Sequence, residues 1–380
     1  MKSNPLKKIG ALVVVAVASV ALLGGSIIVT NSPGGFNAGL TRSVGSGDSP
    51  GGLLRLGSSA PCDSLDPAQT FDPWCAVVHR TFSRNLMAFA GKPGEQGLMV
   101  VPDLATDVPV SNEEKTSWTF KLSPDALWND GAAVTSSDVK YSIQRLYDDS
   151  LQSPIALDTL CLMSTCTAGK PDYKGPYAAP TEDLPAIVTP DESTIIFNLN
   201  RSFFEFPRLL ATPQFAPIQM SRDISLRASG ATYASNPASN GPFVITVDQA
   251  DLQYSFTKNE RWIQASDGIR IPKVDTMSWK VFPDADSTDQ ALLAGEIDVK
   301  LNYGLSPTAR DATLAESSQR SLIDNPEMSF VNFLVVNPNV PPLDRTPCRD
   351  AIFYALDKVD LQNVRGGSAT AAIAHSLSPS

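Results

Sequence analysis

Few side chains in this sequence are equipped for covalent chemistry. Among 380 residues there are two histidines, His79 and His375, and five cysteines, Cys62, Cys75, Cys161, Cys166 and Cys348. A serine or cysteine nucleophile needs a base held beside it, and imidazole is the side chain that changes charge near neutral pH. The single Gly-x-Ser-x-Gly string, Gly47 to Gly51, falls in a Gly- and Ser-rich stretch without the apolar strand before it and the helix after it that make a nucleophile elbow. A secreted hydrolase would show itself as esterase or peptidase activity lost in His79→Ala. Zinc is no better served: there is no Cys-x-x-Cys pair, and Cys75 to His79 is the spacing of a helical turn rather than of a ligand set. No catalytic residue, metal ligand or cofactor is expected.

The residues with a clear physical pattern are structural ones. Trp118, Phe120 and Leu122 alternate with Thr119 and Lys121, which puts three large apolar side chains on one face of a half-buried strand. Asn129-Asp130-Gly131 is turn chemistry. Thr135 can cap a helix, with Asp138 as the acidic partner of a capping box. Val139, Ile143 and Leu146 follow at i, i+4 and i+7, a stripe that must face a core.

Composition excludes some function classes. Thirty Lys and Arg against 40 Asp and Glu give a net charge of −10 with no basic cluster, so a nucleic-acid partner is not expected. At 42% hydrophobic, 380 residues can build two or three cores. Thirty prolines and 24 glycines mark a loop-rich chain.

Lys2, Lys7 and Lys8 precede an uncharged run from Ile9 to Val29. This fits a signal peptide and equally a membrane anchor, since the run approaches the roughly 20 residues a spanning helix needs. Either way the body lies outside the cytoplasm, secreted or anchored to the cell membrane. Residues 1–29 are therefore signal or anchor, and 30–52, rich in Gly, Ser, Asn and Pro, a flexible linker.

The string Trp118-Thr-Phe-Lys-Leu122, Trp128-Asn-Asp-Gly131, Ser136-Ser-Asp-Val-Lys-Tyr-Ser142 and Arg145 resembles the signature of the family 5 extracytoplasmic solute-binding proteins of ABC importers, the oligopeptide and dipeptide binders. Ser136 stands where the family usually has Ala. Further matches run in the family's order: Ser64-Leu-Asp-Pro67, Pro102-Asp-Leu-Ala105, Asp191 to Leu199, Asn240-Gly-Pro-Phe243, Lys258-Asn-Glu-Arg-Trp262, Gly295-Glu-Ile-Asp298, and a helix from Arg349 to Lys358. No internal repeats are present.

The resemblance implies an α/β, two-lobed periplasmic-binding-protein-like fold of type II, the large subclass with an extra subdomain. Lobe I would take 53–83 and 204–282, the inserted subdomain 84–203, and lobe II 283–380. Relatives continue beyond residue 380, so the second lobe is expected to be incomplete and binding impaired. The residues that anchor ligand termini in peptide binders would then fall outside this chain. A strand is expected from Leu53 to Gly57, a helix near Cys75, a helix from Ser287 to Ala294 with a strand from Glu296, a strand from Phe330 to Val336, and a helix capped by Thr346 with Pro347 at its first position.

By position, Phe71, Asp72 and Trp74 would line the ligand cleft in such a protein, with Asn240 as a further ligand-binding residue. The alternative is that Trp74 is core and Asp72 caps a helix. Four of the cysteines permit three pairings. The nearest-neighbour one, Cys62 with Cys75 and Cys161 with Cys166, is expected, each bridge contributing about 2–3 kcal/mol. Cys62–Cys75 would also stiffen the ligand loop. Cys348 stands where relatives carry Val and reads as a small core hydrophobe.

The function implied is capture of a peptide or similar small solute outside the membrane by lobe closure, and delivery by a monomer to ABC permease subunits, without catalysis. A membrane-tethered ligand sensor is the alternative if the N-terminal run is retained.

Overall fold

A computed structural model describes residues 20–21, 50–92, 94–248, 253–302, 304–317, 330–331, 333–364, 367–369 and 372–374. Most of the expected signal or anchor, most of the linker, and His375 lie outside these. The chain divides into two compact units, Gly39–Ser321 and Met1–Ala38 with Leu322–Ser380. Among the described residues no helix is long and apolar enough to cross a membrane.

The larger unit contains a four-stranded antiparallel sheet, ordered Val110–Ser111, Ser117–Lys121, Thr194–Asn198, Ile187–Asp191. Alternation does what the sequence pattern dictates. Trp118 and Phe120 are buried and lie opposite Phe197 and Ile195, while Thr119 and Lys121 face outward. The Ser136–Arg145 helix packs against this sheet through Val139 and Ile143, both wholly buried. Its start is the expected reciprocal cap: Thr135 Oγ1 accepts from Asp138 N at 3.2 Å, and Asp138 Oδ2 accepts from Thr135 N at 3.0 Å. The Trp128 indole donates to the same carboxylate. Gly131, at φ +92°, makes the preceding turn.

The second sheet has five strands, in the order Phe243–Asp248, Gln253–Lys258, Thr276–Val281, Leu53–Ser58, Val299–Lys300. The first three are antiparallel neighbours, whereas Leu53–Ser58 runs parallel to the strand on each side. Leu56, Tyr254, Phe256, Met277 and Trp279 form its core, closed by Val78 and Phe82 of the Pro73–Phe82 helix.

Within the larger unit the buried residues form two main cores. Phe206, Leu209, Phe215, Ile218, Tyr233 and Ala238 pack with the signature strand and helix, not with the five-stranded sheet. The chain passes from one core to the other at Ser239–Gly241, where Ser239 Oγ donates to Phe82 O at 2.8 Å. Farther along the chain, Val299–Lys300 is hydrogen-bonded into the five-stranded sheet, and the segment up to Ser321 belongs to the larger unit.

Four local expectations are corrected. The helix expected at Ser287 spans Ala285–Leu293, because Asp284 is the cap and accepts from Ser287 N at 2.7 Å. Thr346 lies inside its helix, Thr346–Ala355, with Arg345 at the cap position, and Thr346 Oγ1 accepts from the Arg349 guanidinium at 3.0 Å. Among the described residues of the expected 330–336 strand, only Phe330–Val331 sits in a ladder, paired with Val20–Ala21. Cys348 is half-buried rather than core, on a helix with no buried residue.

Candidate functional site

The segment from Ser59 to Cys75 leaves the Leu53–Ser58 strand, fourth of the five in the sheet, and returns as the Pro73–Phe82 helix. Its departure is fixed by Asn302, wholly buried, whose Oδ1 accepts from Ser59 N at 3.0 Å and whose amide donates to Ser59 Oγ at 3.1 Å. Its return is fixed by the Cys62–Cys75 disulfide, with Cα atoms 5.4 Å apart. The other bridge joins Cys161 to Cys166. Asp63 lies with Cys62 and Cys75 in a cluster whose ligand atoms are all within 4.8 Å of one another. Both sulfurs are committed to the disulfide, so no thiolate is left to hold a metal.

Between these anchors, Ser64-Leu65-Asp66-Pro67 is tied inward. Asp66 caps the short Pro67–Gln69 turn by accepting from Ala68 N at 3.0 Å. Both of its carboxylate oxygens also take the Arg145 guanidinium, a bidentate pair in which the side chains are 2% and 1% exposed. Arg145 further donates to Tyr177 Oη and approaches Asp223 at 3.5 Å. Tyr141 and Tyr177 each donate to Asp223 at 2.7 Å, and the Tyr177 and Tyr233 rings lie 5.5 and 5.6 Å from the guanidinium. Burial alone would depress the Arg145 pKa, but the Asp66 charge and hydrogen bonds outweigh it and push it upward. The guanidinium is therefore a permanent buried cation.

A second buried cluster holds the far end of the helix. Arg270 is bidentate to Asp103, at 2.9 Å on both arms, and Arg84 Nε donates to Asp103 at 2.8 Å. Asp267 completes the group through Arg270 at 3.1 Å and Trp262 Nε1 at 3.2 Å.

His79 is 3% exposed. Its Nε2 lies 2.7 Å from Thr70 Oγ1 and 3.0 Å from Ser64 O. A carbonyl only accepts, so this nitrogen carries the proton. Nδ1 is buried without a partner, and burial lowers the imidazole pKa. The ring is locked, neutral and shut off from solvent, an arrangement unsuited to general base work.

The structure brings three of the four expected ligand residues together. Phe71 is 45% exposed. Asp72, at the helix N-cap position, makes no side-chain capping bond. Its pKa is raised by partial burial and by the neighbouring Asp63 charge, offset in part by hydrogen bonding to the Trp74 side chain. Trp74 is half-buried, edge-on to Trp279 at 5.6 Å. Trp279 in turn stacks on Tyr254 at 3.8 Å. Trp74 is thus partly in the core of the five-stranded sheet. Asn240 is separate: 1% exposed, it accepts from Arg84 N at 2.8 Å at the opposite end of the Pro73–Phe82 helix, about 14 Å along the axis. A surface depression of about 210 Å³, lined by Thr106 to Val110, Thr119 and Lys121, lies on the four-stranded sheet and includes none of these residues.

Residues 99–380 match the family model of the bacterial extracellular solute-binding proteins, family 5. The chain belongs to that family. Its family 5 relatives include the probable D,D-dipeptide-binding periplasmic protein DdpA of Escherichia coli K12, 26% identical over 83% of this chain and 55% of that protein. The oligopeptide-binding protein OppA of Bacillus subtilis is 25% identical over 90% and 59% respectively. Among solved structures, the clavulanic acid biosynthesis oligopeptide binding protein 2 superposes with a TM-score of 0.74 at 36% identity, covering 84% of this chain and 57% of that one. The fold is thus the type II fold of the large solute-binding proteins. The chain spans little more than half the length of these relatives.

The two arginine clusters and the Asp63 contacts described below were missed by sequence reasoning. Asp66, Asp103 and Arg145 stood in the quoted motifs, and an acid and an arginine in motifs that recur together are a signal for a buried pair.

Proposed function

We propose that this protein is the solute-capturing component of an ABC importer, taking up a peptide or similar small polar solute outside the cytoplasm and handing it to permease subunits without making or breaking bonds. The family match over residues 99–380 carries this reading. The 36% identical oligopeptide-binding structure supports a peptide as solute. The sealed, neutral His79 fits passive binding, and the net charge of −10 fits a partner other than nucleic acid.

Phe71, Asp72 and Trp74 would meet the solute, the rings offering apolar faces and Asp72 a carboxylate. An extended peptide would bond main chain to main chain, its side chains resting in tolerant, hydrated pockets. The buried Asn240 would position the Arg84 turn and leave the solute to the other three.

Titration of the full chain with tri-alanine, followed by tryptophan fluorescence, tests this. Saturable binding with Kd of about 1 μM or tighter is expected. Phe71→Ala and Trp74→Ala should each weaken it about tenfold or more. Absence of binding, or mass-spectrometric detection of hydrolysed peptide, would overturn the reading.

A further inference from the structure

Asp63 has an unusual set of partners for an exposed acid. Its Oδ2 accepts from two consecutive backbone N–H groups, Phe71 at 2.5 Å and Asp72 at 2.9 Å. Its Oδ1 accepts from Ser64 N at 2.9 Å. Among the described residues it makes no ion pair. The next residue, Pro73, has no N–H to give. Asp63 therefore receives both main-chain donors that immediately precede the helix, and charge-assisted bonds of this kind are the stronger ones.

The neighbouring disulfide does a different job. Cys62–Cys75 ties the two ends of the loop and leaves the backbone torsions of residues 71 and 72 free. Those torsions set where the Phe71 ring and the Asp72 carboxylate point. Two bonds converging on one oxygen fix the relative direction of two successive N–H vectors, and hence the torsions between them.

We propose that Asp63 is the positioning residue of the solute site: without touching the solute, it holds Phe71 and Asp72 in their binding conformation. This rests on the reading that residues 71–74 meet the solute. Preorganisation of this kind acts on affinity because ordering the segment is no longer charged against binding. The Asp63 charge also sits beside Asp72, so its removal shifts the Asp72 titration downward, an effect that a purely steric role would lack.

The test uses the intact, oxidised full chain with Asp63→Ala and Asp63→Asn. Amide hydrogen exchange of the peptide spanning residues 67–75 reports the clamp directly. In D63A exchange at Phe71 and Asp72 should accelerate about tenfold or more, and tri-alanine affinity should fall about tenfold. D63N keeps one acceptor oxygen and should fall between D63A and the parent in both readouts. The Asp72 carboxyl, followed by carbon NMR, should titrate lower in both variants. Unchanged exchange in D63A would overturn the clamp itself. Unchanged affinity in D63A, with Trp74→Ala weakened, would overturn the positioning role alone. Unchanged affinity in both would show that residues 71–74 do not meet the solute, and the proposal would fall with that reading.

Discussion

Removing the Asp66 carboxylate should be among the most damaging single changes in the chain. Asp66 and Arg145 are bonded through both carboxylate oxygens with side chains 2% and 1% exposed. Breaking such a pair by deleting one partner strands a buried charge and costs about 3–5 kcal/mol. In Asp66→Ala the guanidinium keeps Tyr177 and Asp223, the latter at 3.5 Å, so the lower figure, about 3 kcal/mol, applies. The Ala68 N–H also loses its cap. Arg145→Met should cost a similar amount, since Asp66 would be left buried. The double variant Asp66→Ala/Arg145→Met removes both charges of the bidentate pair, leaving Asp223 held by Tyr141 and Tyr177. It should be less destabilised than the sum of the singles by about 2 kcal/mol. Urea unfolding followed by tryptophan fluorescence is suited to this, because all five tryptophans, Trp74, Trp118, Trp128, Trp262 and Trp279, lie in the larger unit. With a slope of about 3 kcal/mol per molar, Asp66→Ala should lower the midpoint by about 1 M. Additive single and double variants would refute the buried-pair argument, as would a midpoint that does not move.

His79 should titrate below the ordinary histidine value of 6.5, because burial disfavours its charged form. The unfolded chain then takes up a proton that the folded chain refuses, so stability should fall as pH drops below about 6.5, by at most about 1.4 kcal/mol per pH unit. His79→Gln should flatten that limb in urea unfolding between pH 7.5 and 5, and an unaltered limb would count against the assignment. Gly241→Ala should destabilise by about 1–3 kcal/mol in the same assay, because a Cβ there would stand 2.8 Å from the Phe82 carbonyl carbon. Unaltered stability would mean that the Phe82 backbone yields freely.

How much of this could be read from residues alone varies with the range of the interaction involved. The signature strand and helix were legible in detail because their causes are local: alternation in 118–122, a cap at Thr135, a stripe at Val139, Ile143 and Leu146. The Asn240 turn was visible, but its purpose was not. Gly241 is required by the approach of the Phe82 backbone rather than by a positive φ, and no local pattern reports that. The helix start at Asp284 was missed because Asp and Ser both cap well, and tertiary context chose between them. The core that residues 206–238 join was not legible for a related reason. Phe206 to Ala238 is apolar enough to suit either core, and its partners include the distant signature strand and helix as well as the nearby Phe197. Of the expected ligand residues, Phe71, Asp72 and Trp74 are adjacent in sequence and so remain together in space. Asn240 was joined to them by family order alone, and the length of one helix separates it from them.

Leu53–Ser58 lies between two parallel neighbours supplied by Thr276–Val281 and Val299–Lys300. Even the Asp275 bond to Gly52 spans 223 residues. At a synthesis rate of roughly 5–20 residues per second, the opening strand waits roughly 11–45 s before its partners exist. Until then this six-residue segment has no sheet to join. A protein destined for the far side of a membrane benefits from such a delay, since translocation machinery threads open chains. The same arrangement that sets this strand between two late partners leaves it unpaired until both have been made.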